Sequence, residues 1–200
     1  MGRFIGKNLI DLAKEERRDR LLGQITLIVV IGIIFLFLFL KTQVFLAVTV
    51  QGSSMENTLN SGDFLFANRQ RTAKRGDIVV VYDQNVNPEP IIKRVVAVGG
   101  DTIWTENGFV YLKTTDSEGN AVMERLDEYY VKTQGVTNMN EQVTVPEGFV
   151  FVLGDNRQVS SDSRAFGVVN SNSIIGVVPQ WSINIKDSGF VNWYKRALAN

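Results

Sequence analysis

The chain of 200 residues contains no cysteine and no histidine. Without cysteine it has no disulfide framework, no thiol nucleophile and no thiolate-ligated zinc or iron–sulfur centre. Without histidine it lacks the Ser-His-Asp triad, zinc sites of the HExxH type and the usual general base near neutral pH. Any hydrolytic chemistry must therefore take up a proton with a carboxylate, a tyrosine or a lysine.

The chain also lacks an excess of charge, since 21 basic side chains balance 21 acidic ones. No basic block is available to neutralise phosphates, which argues against a nucleic-acid partner. The charge is nevertheless uneven along the chain. Residues 1–24 carry six basic and four acidic side chains, and residues 41–200 carry fifteen and seventeen. A hydrophobic content of 44% is enough for one domain of ordinary size plus an appendage.

One long uncharged stretch, ITLIVVIGIIFLFLFL, covers residues 25–40. Extended back to Leu21 it has 20 residues, and a helix of that length at about 1.5 Å per residue spans the roughly 30 Å hydrocarbon core. Basic residues are concentrated before it, which predicts a cytoplasmic N-terminus. We therefore expect a cytoplasmic segment (residues 1–20), one transmembrane helix (21–40) and an extracytoplasmic domain (41–200).

Two other interpretations of this stretch compete with a membrane anchor. A cleaved secretory signal peptide also has a basic start, but its apolar run is usually shorter, and KTQVFLAVTVQ downstream offers no good A-x-A cleavage site. A buried core helix is disfavoured because apolar residues surround the whole helix. We favour an uncleaved single-span anchor in the cell membrane.

The rest of the chain shows the period of two that is typical of β-strands. The predicted strands cover residues 44–50, 63–67, 78–82, 91–98, 145–153 and 174–178. Within residues 102–112, Asn107-Gly108 lies between apolar runs and predicts a hairpin with a type I′ turn. No long helical period follows residue 45, except in the tail NWYKRALA. The fold class is therefore mainly β, with antiparallel sheets behind a single N-terminal transmembrane helix.

Ser54, in VQGSSMENTL, is the first candidate for chemistry. A serine that follows a glycine turn at the end of a strand can present its hydroxyl together with a free backbone N–H. Taken alone, however, Gly-Ser-Ser is most often a solvated turn.

Lys93 and Arg94 are adjacent in the apolar segment IIKRVVAV. On an alternating strand they point to opposite faces, so one cation is expected to point inward whichever face packs on the core. Burial lowers the pKa of a lysine because water no longer stabilises the ammonium, and a pKa of about 7–8 would make Lys93 a competent general base. The alternative is a solvated lysine on an edge strand.

A dense polar loop, GDNRQVSSDSRAFG, follows the strand that ends at Leu153. Aspartate and arginine side chains in such a loop commonly pair and fix its shape, with hydroxyls filling the remaining acceptors. The alternatives are an ordinary solvated loop or an oxygen-rich cation site, and the two arginines make a metal unattractive.

Taken in order, VQGSSMENTL, SGDFLF, RGDIVVVY, IIKRVVAVGGD and the GDNR…SDSRAFG loop resemble the bacterial type I signal peptidases, which also carry an N-terminal anchor. The short segment between residues 102 and 145 is similar to the compact Gram-positive forms. The resemblance implies a signal-peptidase-type β domain as the catalytic domain. It also implies a membrane-bound serine endopeptidase that works through an acyl-enzyme without cofactor or metal.

The same resemblance implies a role for particular residues. Ser54 would be the nucleophile and Lys93 the general base, with Met55 lining the site beside the Ser54 oxyanion donor. Five residues of the polar loop would support the lysine, namely Asp155, Arg157, Ser160, Asp162 and Arg164. Among them, Ser160 would hydrogen-bond the lysine amine, and Asp162 would pair with Arg164.

Three positions depart from the family pattern. Asn57 replaces the usual proline in the turn after the serine, and Gly99 replaces the proline of a common P-G-D turn. Gly52 stands where some members carry a serine that donates to the oxyanion, so a second oxyanion donor stays unidentified.

The implied partners are secretory preproteins with small residues at the cleavage site and the lipid bilayer, and we expect a monomer. One alternative is a dedicated or catalytically silent signal-peptidase-like protein that assists the assembly of pili or other surface structures. A self-cleaving repressor relative would also use a Ser-Met motif. It would carry a DNA-binding N-terminal domain, which the uncharged span contradicts.

Overall fold

The computed structural model of the protein describes residues 9–116 and 118–186. The chain divides between Gln43 and Val44 into two compact units. The helical period expected in the tail, residues 192–199, lies outside the described residues.

The first unit is built on helix α1 (Leu9–Val44), which contains the apolar stretch. A candidate membrane span runs within it from Lys14 to Phe39, and none of its apolar window is buried. A core helix would be mostly buried, so this exposure agrees with the sequence pattern in disfavouring a core helix. The length and composition of the span fit both a membrane anchor and a signal sequence.

The second unit is mainly β, as predicted. Its described part contains eleven strands: β1 (Phe45–Thr49), β2 (Phe64–Asn68), β3 (Ile78–Val81), β4 (Ile91–Val98), β5 (Thr102–Glu106), β6 (Phe109–Thr115), β7 (Ala121–Arg125), β8 (Val143–Thr144), β9 (Phe149–Leu153), β10 (Val169–Asn170) and β11 (Ile174–Val178). Two short helices, α2 (Ser163–Phe166) and α3 (Gln180–Ile185), are also present, and the sequence pattern did not predict them.

The strands form two antiparallel sheets. The larger sheet has the order β1-β2-β11-β3-β4-β9-β10, and the smaller has the order β7-β6-β5-β8. The predicted hairpin joins β5 to β6, and Asn107 (φ 51°) and Gly108 (φ 79°) both have the positive φ that a type I′ turn needs.

The strand predicted over residues 145–153 is shorter in the structure, where it covers Phe149–Leu153, and a separate short strand precedes it. Residues Val143–Thr144 pair with β5 in the smaller sheet, and Phe149–Leu153 pair with β4 in the larger one. Pro146 and Gly148 turn the chain from one sheet to the other, since proline removes a ladder donor and glycine permits the turn. Strand β7 was not predicted, because all its residues are exposed and leave no alternating pattern.

Both faces of the larger sheet are covered where β3 and β4 run. Ile78 and Val80 belong to one buried apolar cluster, while Val79 and Val81 belong to another. A third cluster joins Phe151 and Leu153 of β9 to residues of β5 and β6 in the smaller sheet. All four residues of β3 are therefore buried, with side chains packed on both faces of the sheet.

Candidate active site

Strand β4 carries the two cations into the interior. Lys93 pairs with Val79 of β3, and β9 flanks β4 on its other side, so Lys93 does not lie on an edge strand. Lys93 is 4% exposed and Arg94 is 8% exposed. The expectation that one of the two points inward was too conservative: both are buried, because both faces of this part of the sheet are covered.

Ser54 lies in a tight turn that follows β1. The turn is closed by backbone hydrogen bonds from Glu56 to Ser53 (3.1 Å) and from Leu59 to Met55 (2.8 Å). Met55 and Leu59 are fully buried and anchor the turn in the core. The turn is therefore packed against the sheet, unlike a solvated Gly-Ser-Ser turn.

The turn brings the serine to the lysine. Lys93 Nζ lies 2.8 Å from Ser54 Oγ, within hydrogen-bond distance. Burial lowers the pKa of the Lys93 ammonium from its ordinary value, and the charges of Asp162 and Asp155 oppose part of that shift. A serine hydroxyl in contact with a desolvated amine is an arrangement in which the amine can activate the hydroxyl.

The polar loop starts beside this pair because of strand register. Arg94 pairs with Leu153, the last residue of β9, so the loop leaves the sheet at Gly154 next to the lysine. A Cβ at position 154 would collide with the Ser160 side chain and lie 2.5 Å from the Ser54 carbonyl oxygen. Only glycine permits this approach. The Asn156 backbone N–H then donates to the Ser54 carbonyl (3.0 Å), a contact that sequence reasoning missed.

Asp155 pairs with Arg94 of the strand. The Arg94 guanidinium donates to both Asp155 oxygens at 2.8 and 2.6 Å, in a bidentate geometry. Thr58 Oγ1 donates to Asp155 Oδ2 at 2.5 Å. Asp155 therefore ties the serine turn to β4.

Arg157 pairs with a residue that the sequence did not single out. Its guanidinium donates to Glu128 Oε2 at 3.0 Å and to Thr137 Oγ1 at 2.8 Å, and its side chain is fully buried. Glu128 belongs to the segment after β7, where the sequence DEYY suggests only a polar loop. The available signal was indirect: a buried arginine needs a carboxylate partner.

Asp162 and Arg164 form an ion pair within the loop. Arg164 Nε donates to Asp162 Oδ1 at 2.7 Å, and the Gly154 backbone N–H donates to Asp162 Oδ2 at 3.0 Å. Asp162 also caps the N-terminus of α2. The structure places Ser160 differently from the expectation, since its Oγ is buried and makes no hydrogen bond, to Lys93 or to any other described residue.

A cleft of about 450 Å³ opens onto the serine–lysine pair. Its walls come from β1, the residues that follow it and the start of β4. The apolar lining includes Leu46, Val48, Val50, Met55, Val80 and Ile92, and the polar lining includes Asn87 and Glu89. Among the described residues, no group of three or more acidic side chains could hold a metal ion.

The departures from the family pattern have local explanations. A Cβ at Gly99 would lie 2.9 Å from Glu147 Cα, so the neighbouring backbone leaves no room for a side chain. Asn57 adopts φ 89°, a value closed to proline, whose ring holds φ near −65°.

The Ser54 backbone N–H makes no hydrogen bond within the described residues, which leaves it available to an oxyanion.

Comparison with known proteins assigns the family. The sequence model of the family described as "Signal peptidase, peptidase S26" matches residues 22–181. The chain is 31% identical to Signal peptidase I P of Bacillus subtilis subsp. natto, over 82% of this chain and 90% of that protein. It is 34% identical to Signal peptidase I of Streptococcus pneumoniae TIGR4, over 64% of this chain and 78% of that protein.

A solved signal peptidase I from Enterococcus faecalis V583 is 29% identical and covers 55% of this chain and 98% of its own, with a TM-score of 0.40. That score is too low to bear on the fold, so the assignment rests on the sequence matches. The chain belongs to the signal peptidase family S26 and is a serine protease.

Proposed function

We propose that this protein removes N-terminal signal peptides from secretory preproteins with Ser54 as nucleophile and Lys93 as general base. The observation that carries the proposal is the 2.8 Å contact between Ser54 Oγ and the amine of Lys93, a residue that is 4% exposed. Arg94, the neighbouring cation, holds its proton at all physiological pH values, and burial raises the pKa of the Tyr130 phenol. Lys93 is thus the basic nitrogen in contact with the serine.

The first half of the reaction forms an ester. Neutral Lys93 takes the Ser54 proton as Oγ bonds to the substrate carbonyl carbon, and the carbonyl electron pair moves to oxygen. The Ser54 backbone N–H donates to this oxyanion. When the intermediate collapses, the C–N bond breaks and the Lys93 ammonium returns its proton to the leaving amine.

The second half removes the acyl group. Lys93 accepts a proton from water as the water oxygen attacks the ester carbonyl, and collapse then breaks the bond to Ser54 Oγ, which regains a proton. A serine–lysine dyad completes both halves without a cofactor, a metal or histidine.

The cleft supports an extended substrate with small residues at the scissile site, the A-x-A pattern that ends a secretory signal peptide. Strand β1 is an edge strand of the larger sheet and also lines the cleft. An extended peptide can therefore add to it through backbone hydrogen bonds. Apolar wall residues near Ser54 suit uncharged side chains.

The apolar span in α1 and the basic residues before it support a membrane anchor. We propose a monomer with one membrane-spanning helix, a cytoplasmic N-terminus and a catalytic domain outside the membrane. Extraction of membranes at alkaline pH should leave the protein in the pellet. Protease added to intact protoplasts should digest the domain after residue 44. Digestion of the N-terminal segment instead would indicate the opposite topology.

Cleavage of a preprotein by the full chain in detergent tests the dyad. Ser54→Ala and Lys93→Ala should each abolish cleavage, whereas Ser53→Ala, at the neighbouring serine, should leave it intact. Retained cleavage in either dyad variant would exclude the mechanism. Wild-type protein that folds but cleaves no preprotein would support the alternative of a catalytically silent assembly factor, and cleavage of a pilin alone would indicate a dedicated enzyme.

Activity should also depend on pH in one direction. Because the neutral amine is the base, cleavage should rise as the pH passes the lowered pKa of Lys93 and should then level off. An optimum below pH 6 would indicate a carboxylate base instead.

A further inference from the structure

The backbone of Asn57 has an unusual conformation close to the nucleophile. Asn57 has φ 89°, and the other described non-glycine residue with positive φ is Asn107 in the β5–β6 hairpin. Left-handed backbone is costly for most residues, and asparagine tolerates it better than others. The serine turn therefore depends on a residue type that can hold this angle.

The Asn57 side chain fixes the turn to a second segment. Its Nδ2 donates to the Tyr130 carbonyl oxygen at 2.9 Å. We call residues 128–132 the brace. The brace contacts the turn again through Lys132 Nζ, which lies 2.6 Å from Glu56 Oε2.

The brace is itself held in place by buried groups. The Tyr130 hydroxyl donates to Glu128 Oε1 at 3.1 Å, and Glu128 pairs with the fully buried Arg157. Arg94 stacks on the Tyr130 ring, with Cζ 3.9 Å from the ring centre. The Lys132 backbone N–H donates to the Asp155 carbonyl at 3.1 Å. These buried contacts hold the brace in place, so its contacts with Asn57 and Glu56 can fix the position of the turn.

Asn57 separates the reactive part of the turn from its fixed part. On one side lie Ser54 and Met55, and on the other lies Thr58, whose hydroxyl is bound to Asp155. A change of φ at position 57 rotates one part against the other. The expected consequence is a longer distance between Ser54 Oγ and Lys93 Nζ.

We propose that Asn57, held by the brace, is a positioning residue that keeps the Ser54 hydroxyl within reach of the Lys93 amine. The inference rests on the proposed dyad. Asn57 acts through Ser54 and does not line the substrate cleft. A change at Asn57 should therefore lower kcat and leave KM unchanged.

Four substitutions in the full chain separate the backbone angle from the side-chain contact. Asn57→Gly keeps the positive φ and loses the amide donor, so kcat should fall about threefold to tenfold. Asn57→Ala also strains the backbone, and the fall should reach about 10- to 100-fold. Asn57→Pro forbids the positive φ, so its kcat should be at least as low as that of Asn57→Ala. Lys132→Gln removes the exposed pair with Glu56, and its effect should be about twofold.

Asn107→Ala is the matched control, because it also places an alanine at a positive φ, in a hairpin outside the site. It should lower the thermal midpoint about as much as Asn57→Ala does, with kcat per folded enzyme unchanged. The folded fraction is measured by near-UV circular dichroism at the assay temperature. The midpoint of the pH–activity curve should stay the same in every Asn57 variant, since the burial of Lys93 is unaltered.

The outcomes separate this inference from the proposed function. Cleavage by Ser54→Ala or Lys93→Ala would overturn the dyad itself. With the dyad intact, wild-type kcat in Asn57→Ala, an equal loss of kcat in Asn107→Ala, or a rise of KM without a fall of kcat would each overturn the positioning role. A fall of kcat confined to the Asn57 and Lys132 variants would support it.

Discussion

Lys93 and Arg94 are neighbours on β4 with similar exposure, 4% and 8%, but their surroundings differ. The Arg94 guanidinium is bound to both oxygens of Asp155 and stacked on the Tyr130 ring. Among the described residues, the Lys93 amine makes one hydrogen bond, to the Ser54 hydroxyl. One buried cation is paired with a carboxylate, and the other contacts a neutral group.

This difference in partners separates the chemistry that is open to two adjacent cations. Arginine cannot lose its proton in a protein, so a bidentate carboxylate is the partner that makes its burial tolerable. By pairing with Arg94, Asp155 is kept from a direct ion pair with Lys93. The lysine is therefore desolvated without a contacting counter-ion, which favours the neutral amine that a general base needs.

The largest effect should come from making position 93 resemble position 94. Lys93→Arg keeps the charge and removes the proton acceptor, so kcat should fall by about 10²- to 10⁴-fold at any pH between 7 and 9. Single-turnover cleavage of a preprotein measures the loss. Activity that returns in Lys93→Arg as the pH rises would show that another group is the base.

Removing the partner of Arg94 should give the largest loss of stability. Asp155→Ala leaves a buried charge without its carboxylate, at a cost of about 3–5 kcal/mol, which corresponds to a fall of the thermal midpoint on the order of 10 °C. Arg71→Ala, in a more exposed pair with Asp77, is the control and should cost no more than about 1 kcal/mol. Equal losses of stability in the two variants would mean that the buried Arg94–Asp155 pair contributes no more than an exposed pair does.

A smaller loss is expected from the hydroxyl that shares Asp155. Thr58→Val keeps the shape and removes the hydrogen bond of 2.5 Å to the carboxylate, at a cost of about 1.5–3 kcal/mol. Chemical denaturation with an unchanged m-value would measure it. In the Asp155→Ala background the same substitution should cost much less, and additivity would show that the two groups act independently.

The smallest effect is a gain of stability that depends on pH. Because the pKa of Lys93 is lowered by burial, the unfolded chain binds more protons than the folded one between that lowered value and the ordinary 10.5. Wild-type stability should therefore rise with pH across this range. Lys93→Met avoids this desolvation cost and should melt at a higher temperature than the wild type at pH 7, with the two thermal midpoints converging as the pH approaches the ordinary pKa of lysine. A gap that does not change with pH would contradict the desolvation of Lys93.

Several features could be predicted because they depend on neighbours in sequence. The strands follow from alternation in segments such as residues 91–98, and the hairpin follows from Asn107-Gly108. The candidates Ser54 and Lys93 came from their sequence context, and the structure places them in contact. The roles of these two residues stay predictions until the variants are measured.

Other features needed the arrangement of the sheets. The ion pair between Glu128 and Arg157 joins residues 29 positions apart through a loop without periodicity. The burial of both Lys93 and Arg94 required a sheet covered on both faces, which the pattern of a single strand cannot reveal. Ser160 was expected to contact the lysine, yet small changes of loop path decide where a hydroxyl points.

The sequence by itself determined the chemistry that is open to this protein. With no histidine and no cysteine, the general base of a serine protease of this kind has to be a lysine, a tyrosine or a carboxylate. The uncharged span before the β domain can also be identified from composition alone. Only the tertiary structure decided which cation is free to lose its proton. The ionisation of a buried group depends on the carboxylates and water that surround it. Strand register and the path of the 154–164 loop place the Asp155 carboxylate against Arg94 and leave Lys93 in contact with the Ser54 hydroxyl.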